Sequence, residues 1–155
     1  MVIRFALAKD KDQVLQLLDE LVVEVNKRKI AVGNAPKNKS DQKARVRMYD
    51  EEILRDDVKI FVAEEDNNLI GMAEFFIVPN LRRGYYRGEI ESFVVTEKIR
   101  GKGIGTKLLN AIFDFCKKNN IKVIKLTSGL ELFDAHKFYE HHGGKFTERM
   151  YRFEL

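Results

Sequence analysis

The chain has 155 residues, of which 45% are hydrophobic and 34% charged, and this fits one folded domain spanning residues 1–155. One cysteine and three histidines exclude a disulfide scaffold and a zinc module, and we expect no metal site. The net charge of +4 favours an anionic partner without identifying it.

The N-terminal part of the chain is predicted to form one strand and two helices. The strand covers residues 2–8, where Arg4 interrupts the apolar stretch that a signal peptide needs. Asp10 followed by Gln13 resembles a capping box, and apolar residues at helical spacing then indicate a long amphipathic helix. After a break, Ser40 can cap a second helix. Because no segment approaches the roughly 18 apolar residues of a membrane span, we expect a cytoplasmic protein without a membrane partner.

Further strands are predicted where β-branched and aromatic residues concentrate between turn-forming residues. They cover residues 58–64, 69–78, 89–95, 123–127 and 151–155. Helices are predicted over residues 103–119 and from Leu132 to Tyr139. The order β-α-α-β-β-β-α-β-α-β contains one strand–helix–strand unit, which requires a parallel pair beside the antiparallel hairpins. We therefore predict an α/β domain with a mixed, mainly antiparallel sheet flanked by helices.

A glycine-rich turn, Arg100-Gly101-Lys102-Gly103-Ile104-Gly105, lies between an apolar strand and an amphipathic helix. Free N–H groups and the helix dipole make such a turn an anion site, and glycine lets the backbone approach phosphate oxygens. A tight turn without a ligand explains the glycines equally well. The dinucleotide pattern fails because Thr106 stands where its third glycine belongs, and the Walker pattern fails because the order is Gly105-Thr106-Lys107.

The pattern R-x-x-G-x-G in this turn, together with its neighbours, resembles the GNAT superfamily of acyl-CoA-dependent N-acyltransferases. The neighbours are Ile90-Glu91-Ser92-Phe93-Val94-Val95, Gly105-Thr106-Lys107-Leu108-Leu109 and Asp134-Ala135-His136-Lys137-Phe138-Tyr139-Glu140. The last segment is most similar to small-amine acetyltransferases such as the aminoalkylphosphonate enzymes. Leu132 and Gly144 depart from the family, which often has Asn or Arg at the first position and usually Phe at the second.

The resemblance implies an N-acetyltransferase that uses acetyl-CoA as co-substrate. It implies cofactor contacts from the backbone of one strand segment, with the Val94 N–H polarising the thioester, and from the glycine-rich turn and the helix start. These residues are Phe93, Val94, Val95, Arg100, Gly101, Lys102, Gly103, Ile104, Gly105 and Thr106. It further implies that Tyr139 contacts the cofactor and protonates the CoA thiolate, with His136 at the cofactor rim. Core packing is the alternative for Tyr139 and for the strand segment.

The acceptor amine needs a base, because an alkylamine with a pKa near roughly 10.4 is mostly protonated at neutral pH. Glu89 and Glu91 stand two positions apart and are predicted to share one side of the strand with Phe93. The resemblance puts the base near this position, and we favour Glu91 over Glu89; simple pairing with an arginine is the alternative for either. Cys116 lies on the apolar stripe of its helix, so we expect it to pack in the core and the amine to attack directly in a ternary complex.

Two regions of the sequence are strongly basic. Residues 97–125 hold eight Lys or Arg and two acids, a counter-charge for CoA phosphates, and residues 27–47 hold eight and one. The resemblance implies a small primary amine as the acceptor and implies that the first two helices help to form its pocket, so the second region is suited to an acceptor that also carries a phosphate, phosphonate or carboxylate. An ordinary solvated face is the alternative explanation. The alternatives are a protein N-terminal or lysine acetyltransferase, and a non-catalytic CoA-sensing or nucleic-acid-binding module. We do not expect nucleic acid as the partner, and a homodimer stays open.

Overall fold

Five strands and four α-helices form within residues 1–36 and 41–153, the parts of the chain that the computed structural model describes. The strands are β1 (Val2–Phe5), β2 (Val58–Glu65), β3 (Asn68–Asn80), β4 (Tyr85–Val95) and β5 (Ile124–Leu126). The helices are α1 (Lys11–Ala31), α2 (Gln42–Glu52), α3 (Ile104–Lys118) and α4 (Phe133–His141). None of the described helices is long and apolar enough to cross a membrane.

The strands form one sheet in the order β1-β2-β3-β4-β5. The first three pairings are antiparallel, and β4 pairs with β5 in parallel across the α3 connection. The β2–β3 turn is tight because Asp66 and Asn67 adopt φ values of 51° and 62°, which short polar side chains tolerate. The predicted fold class, a mixed and mainly antiparallel α/β sheet flanked by helices, is confirmed.

The sheet carries an apolar core on each face. On one face, Leu108 and Ile112 of α3 pack against Phe75 of β3, and all three are fully buried. On the other face, α1 and α2 pack against β2, β3 and Val94 of β4. Strand β4 thus contributes to both cores, since Ile90 belongs to the first and Val94 to the second.

A bulge interrupts β4 near its centre. Ile90 pairs with Phe75 and Ser92 pairs with Glu74, so Glu91 is an extra residue without a partner in the β3 register. The extra residue reverses the alternation of side chains beyond it: Phe93 belongs to the face of Ile90, and Glu89 lies on the opposite face. The prediction that Glu89 and Phe93 share a side was therefore wrong, because strict period-two counting does not anticipate a bulge.

Several predicted elements differ in detail. The last strand, expected over residues 151–155, is not formed through Phe153, and residues 154 and 155 lie outside the described part. Its alternating aromatic residues, Tyr151 and Phe153, are largely exposed. A strand needs a neighbouring backbone to pair with, and within the described residues no strand pairs with this segment. The predicted cap Ser40 also lies outside the described residues, and Asp41 caps α2 by accepting from the Lys43 and Ala44 N–H groups.

The start of α1 uses different contacts from the predicted capping box. Asp10 is buried, and its carboxylate accepts from Arg4 and from the Leu7 N–H at 2.7 Å. Arg4 holds the pKa of this carboxyl below its usual range. Gln13 instead accepts from the Leu69 N–H at 2.8 Å, which ties α1 to the beginning of β3.

Candidate active site

A cavity of about 890 Å³ opens beside the C-terminal half of β4. Strand β5 has only three residues and pairs with β4 over Gly88–Ile90, so the next residues of β4 have no β5 partner. The cavity wall is completed by α1, the start of α3, the connection after β5, and α4. The short β5 thus leaves backbone groups of β4 open to a ligand.

The direction of the β4 backbone groups decides which of them face the cavity. The Thr96 N–H donates to the Ile70 carbonyl at 3.0 Å, toward β3. Because N–H groups alternate sides along a strand, the Val94 N–H also points toward β3, and those of Phe93 and Val95 point toward the cavity. The Val95 carbonyl agrees, since it accepts from Arg100 Nε at 3.0 Å on that side. The Val94 N–H, which was expected to contact the thioester, therefore points away from the cavity, and the N–H groups on the cavity side are those of Phe93 and Val95.

The glycine-rich turn leads directly into α3. We call the backbone of residues 101–106, at this junction, the α3 cradle. Gly101 and Gly103 adopt φ values of 80° and 78°, which favour glycine, and Gly103 is the residue that caps α3. The Lys107 N–H reaches the Gly103 carbonyl at 3.1 Å, so the preceding helix-start N–H groups have no intrahelical acceptor. Three of these N–H groups are on residues that line the cavity, namely Ile104, Gly105 and Thr106. Such N–H groups, with the helix dipole, favour a bound anion.

Ion pairs connect the helices around the cavity. Arg28 of α1 pairs with Glu24 at 2.8 Å and with Asp134 of α4 at 3.0 Å. Arg100 Nη1 lies 3.8 Å from Glu24. The hydrogen bond from Arg28 holds the pKa of Glu24 below its usual range, so Glu24 remains a carboxylate. Lys102, predicted to bind the cofactor, is exposed and does not line the cavity.

Tyr139 lies in the cavity wall and its ring contacts two other aromatic rings. Its ring lies 6.2 Å from that of Phe93 and 5.4 Å from that of Phe138, measured between centroids. Burial raises the pKa of the Tyr139 phenol to about 12, so the hydroxyl keeps its proton at neutral pH. A protonated phenol is the form that a general acid needs.

The three histidines of α4 and its end occupy different environments. His142 lines the cavity, with Nε2 at 3.1 Å from Thr106 Oγ1 and Nδ1 at 2.7 Å from the Phe138 carbonyl. His136 does not line the cavity, and its Nε2 lies 2.9 Å from the Gly129 carbonyl. The sequence interpretation treated all three histidines as surface or cofactor-rim residues and counted His136 among the cofactor contacts, whereas His141 and His142 line the cavity and His136 does not.

The two candidate bases are separated by the bulge. Glu91 lies in the cavity wall, whereas Glu89 is outside it and pairs with Arg87 at 3.2 Å. Cys116 is buried in the α3 core, as expected, and burial raises the pKa of its thiol to about 11. The structure therefore groups Glu91 and Tyr139 with the backbone of β4 and the glycine-rich turn.

Two acidic residues that the sequence analysis did not single out are partly or fully buried. Glu131 is buried in the connection after β5 and lines the cavity. Glu74 lines a second, smaller cavity of about 100 Å³ between α1, α2 and the sheet, and its carboxylate accepts from Ser92 Oγ at 2.9 Å. Glu131 follows an apolar residue in a loop and Glu74 lies within a strand, so neither matched a spacing that points to a site.

Comparison with known proteins gives consistent results. The acetyltransferase (GNAT) family profile matches residues 23–144. The aminoalkylphosphonate N-acetyltransferase of Salmonella typhimurium is 26% identical over 143 residues, covering 92% of this chain and 84% of the relative. The N-alpha-acetyltransferase 30 of Schizosaccharomyces pombe is 32% identical over 96 residues, covering 61% and 63%. The crystal structure of a transcriptional regulator from Bacillus halodurans superposes with a TM-score of 0.83 at 24% identity, covering 99% of each chain.

The fold and the family match define the class of the protein as an acyltransferase of the N-acetyltransferase type. The chain belongs to the acetyltransferase (GNAT) family.

Proposed function

We propose that this protein transfers an acetyl group from acetyl-CoA to the primary amine of a small molecule, by direct attack in a ternary complex. The observation that carries the proposal is the cavity itself, in which the open backbone of β4, the α3 cradle, Glu91 and Tyr139 share one wall. Cys116 lies in the core and outside that wall, which argues against a covalent cysteine intermediate.

The cavity suits acetyl-CoA on the geometry of its backbone. The N–H groups at the start of α3 fit the phosphates, with the positive φ values of Gly101 and Gly103 shaping the cradle. The open N–H groups of Phe93 and Val95 fit the amide arm and the thioester oxygen. Bound there, acetyl-CoA supplies an activated acetyl group.

The side chains divide the proton transfers between them. Glu91 accepts the proton that the acceptor ammonium loses, through a water molecule, because it is the candidate base that lines the cavity. Tyr139 donates its phenolic proton to the departing sulfur and regains one from water, because burial keeps the phenol protonated. An N–H of Phe93 or Val95 stabilises the oxygen that becomes negative during the attack.

The acceptor is proposed to carry an acidic group as well as the amine. Lys29 of α1 lines the cavity, and no acidic partner holds it among the described residues. The relative from Salmonella typhimurium is named for aminoalkylphosphonates, which combine an amine with a phosphonate. The relative from Schizosaccharomyces pombe is named for an N-alpha-acetyltransferase, which makes a protein N-terminus the second candidate acceptor.

The test measures thiol release from acetyl-CoA by the purified protein in the presence of aminomethylphosphonate, ethylamine or a peptide with a free N-terminus. We expect both small amines to stimulate release above the amine-free baseline, and aminomethylphosphonate to have the lower KM. Stimulation by the peptide alone would transfer the assignment to protein acetylation. Tight binding of acetyl-CoA without stimulation by any amine would contradict an enzymatic role and favour a CoA-sensing module.

A further inference from the structure

His142, the residue after α4, has a hydrogen-bond partner at each of its ring nitrogens. Nδ1 lies 2.7 Å from the Phe138 carbonyl, and Nε2 lies 3.1 Å from Thr106 Oγ1 at the start of α3. His142 and Thr106 are both half-buried, and both line the large cavity. The proton transfers proposed above do not use this pair, so its position in the wall needs a separate explanation.

The Phe138 carbonyl determines which ring nitrogen carries the hydrogen. A carbonyl oxygen can only accept, so Nδ1 donates to it and holds the single hydrogen of the neutral ring. Nε2 of the neutral ring is then an acceptor, and the Thr106 hydroxyl donates to it. In this state the hydroxyl hydrogen is directed at His142, and Thr106 Oγ1 offers only lone pairs to a ligand.

Protonation of His142 reverses the direction of this hydrogen bond. With a hydrogen on both nitrogens, Nε2 donates to Thr106 Oγ1, and the hydroxyl hydrogen becomes free to donate elsewhere. Thr106 belongs to the α3 cradle, where N–H groups and the helix dipole favour an anion. A bound phosphate therefore favours the protonated ring in two ways, through its negative charge and through the donor that it gains from Thr106.

The groups nearest to His142 do not already supply an anionic partner. The described hydrogen-bond partners of its ring are a carbonyl and a hydroxyl. On its own segment the His141 ring lies 5.2 Å away, and His141 and Glu140 are exposed. On the α3 side, Lys102 and Lys107 are exposed as well. The position after α4 favours a cation, because the carbonyls at a helix C-terminus carry partial negative charge.

The rest of the cavity wall carries charges of both signs. Its carboxyl groups are those of Glu24, Glu91, Glu131 and Asp134, and Tyr139 keeps its phenolic proton. Arg28 pairs with two of these acids, Glu24 and Asp134. The cations of the wall are Arg28, Lys29, Arg100 and Arg152. A phosphate at the α3 cradle would thus be the anion that acts on His142 from the cradle side.

We propose that His142 is a positioning residue for the cofactor phosphates, which takes up a proton when they bind at the α3 cradle and thereby turns the Thr106 hydroxyl toward them. The inference rests on the proposed acetyltransferase function and adds a proton-linked step to its cofactor binding. The proton comes from the solvent, and no covalent bond of the cofactor changes. Because the linkage is reciprocal, the affinity for the cofactor falls as pH rises through the range in which histidine loses its charge.

The experiment is calorimetric titration with dephospho-CoA in PIPES and in ACES, two buffers that differ in ionisation enthalpy. Dephospho-CoA keeps the pyrophosphate and lacks the 3′-phosphate, a monoester whose own titration near about pH 6 would obscure the result. We expect the wild-type protein to take up a fraction of a proton for each ligand bound. Its Kd should rise about three- to tenfold between pH 6 and pH 8, the difference between a charge-assisted and a neutral hydrogen bond.

Three variants separate this role from packing. His142→Gln keeps a hydrogen-bonding side chain that does not titrate, so both the proton uptake and the pH dependence of Kd should be lost. Thr106→Val keeps the branched shape without the hydroxyl and should lower the uptake too. His136→Gln, on α4 but outside the cavity wall, is the matched control and should keep the wild-type uptake. A packing role alone would change Kd equally at every pH.

Three results would overturn the inference while leaving the acetyltransferase function intact. They are equal proton uptake by the wild-type protein and His142→Gln, full uptake by Thr106→Val, and binding of acetyl-CoA without binding of dephospho-CoA. If no amine stimulates thiol release but the uptake is found and depends on His142, the acetyltransferase proposal fails and the proton-linked phosphate site stands.

A measurement on the wild-type protein covers the case in which His142→Gln does not fold. The ring signals of His142 in a nuclear magnetic resonance spectrum follow its protonation directly. We expect the midpoint of their pH titration to move to higher pH when dephospho-CoA is bound, because the bound phosphate favours the charged ring. An unchanged midpoint, or one that moves to lower pH, would contradict the inference.

Discussion

Tyr139 can be tested as a single hydroxyl group, because its ring has a separate packing role. Tyr139→Phe keeps the contacts with Phe93 and Phe138 and removes the phenolic hydroxyl, the proton donor of this side chain. We expect kcat to fall about 10²- to 10⁴-fold, the usual contribution of general acid catalysis, with the Kd for acetyl-CoA unchanged. The measurement is steady-state thiol release together with calorimetric binding of acetyl-CoA.

The pH dependence supplies an independent check of the same residue. Because burial raises the Tyr139 pKa to about 12, the phenol stays protonated up to pH 10, and its titration should cause no loss of rate between pH 6 and pH 10. Tyr86→Phe, on an exposed side chain of β4 outside the cavity wall, is the control and should keep the wild-type kcat. A wild-type kcat in Tyr139→Phe would remove the hydroxyl from the proton transfer and leave only packing.

At the residue scale, the sequence predicted which residues lie together better than it predicted the directions of individual groups. The resemblance to the GNAT family brought Tyr139, Glu91 and the glycine-rich turn into one expected site, and residues of all three line the same cavity. The Val94 N–H was misassigned because its direction depends on which edge of β4 pairs with β3, a long-range fact. Glu131 was missed because its burial results from how the loop packs, which no local pattern encodes.

At the scale of the element, the start of α3 depends on a backbone conformation that a side chain disfavours. Gly103→Ala places a Cβ on a residue with φ of 78°, where the Cβ meets no atom within 4 Å, so the penalty is one of conformation alone. We expect the free energy of unfolding to fall by about 1–2 kcal/mol. The affinity for acetyl-CoA should fall as well, because relaxing φ turns the cradle's N–H groups away from the phosphates.

Gly84→Ala is the matched control for that variant. Gly84, in the turn between β3 and β4, has φ of 67° and equally open surroundings, but lies outside the cavity wall. It should lose a similar amount of stability and keep the wild-type affinity for acetyl-CoA. Chemical denaturation gives the first quantity and calorimetry the second; equal affinities in the two variants would show that the conformation of Gly103 is not needed for binding.

The elements themselves were largely predictable because periodicity and turn residues are local signals. The α3 helix and the parallel β4–β5 pair were confirmed, since an apolar stripe and a strand–helix–strand order leave little choice of topology. The bulge at Glu91 and the missing strand pairing through Phe153 were not predictable, because both depend on the neighbouring strand. The bulge lies in the part of β4 that lines the cavity. The simple alternation of side chains along a strand therefore gives a wrong prediction at the candidate site itself.

At the scale of the whole molecule, the two layers of helices meet the sheet through different chemistry. On the face of the sheet that α3 covers, the buried cluster contains only apolar residues. On the face that α1 and α2 cover, Glu74 lies next to Glu52 in the wall of the smaller cavity. Burial, together with the negative charge of Glu52, raises the pKa of the Glu74 carboxyl to about 7. Arg45 also lines this second cavity but pairs with Asp19, and the α1 residues of the wall are apolar.

This raised pKa makes global stability depend on pH near neutrality. Between about pH 4.5 and pH 7 the folded protein holds a proton on Glu74 that the unfolded chain releases, so the contribution to the free energy of unfolding decreases as pH rises through that window and is absent above it. We expect the wild-type protein to lose on the order of 1–3 kcal/mol between pH 5 and pH 8 relative to Glu74→Gln, whose amide mimics the protonated acid. Urea unfolding at both pH values measures the difference. Glu65→Gln, at an exposed position of β2, is the control and should show the same pH dependence of the free energy of unfolding as the wild-type protein. If the wild-type protein and Glu74→Gln instead show parallel pH profiles, the Glu74 carboxyl does not titrate in this range.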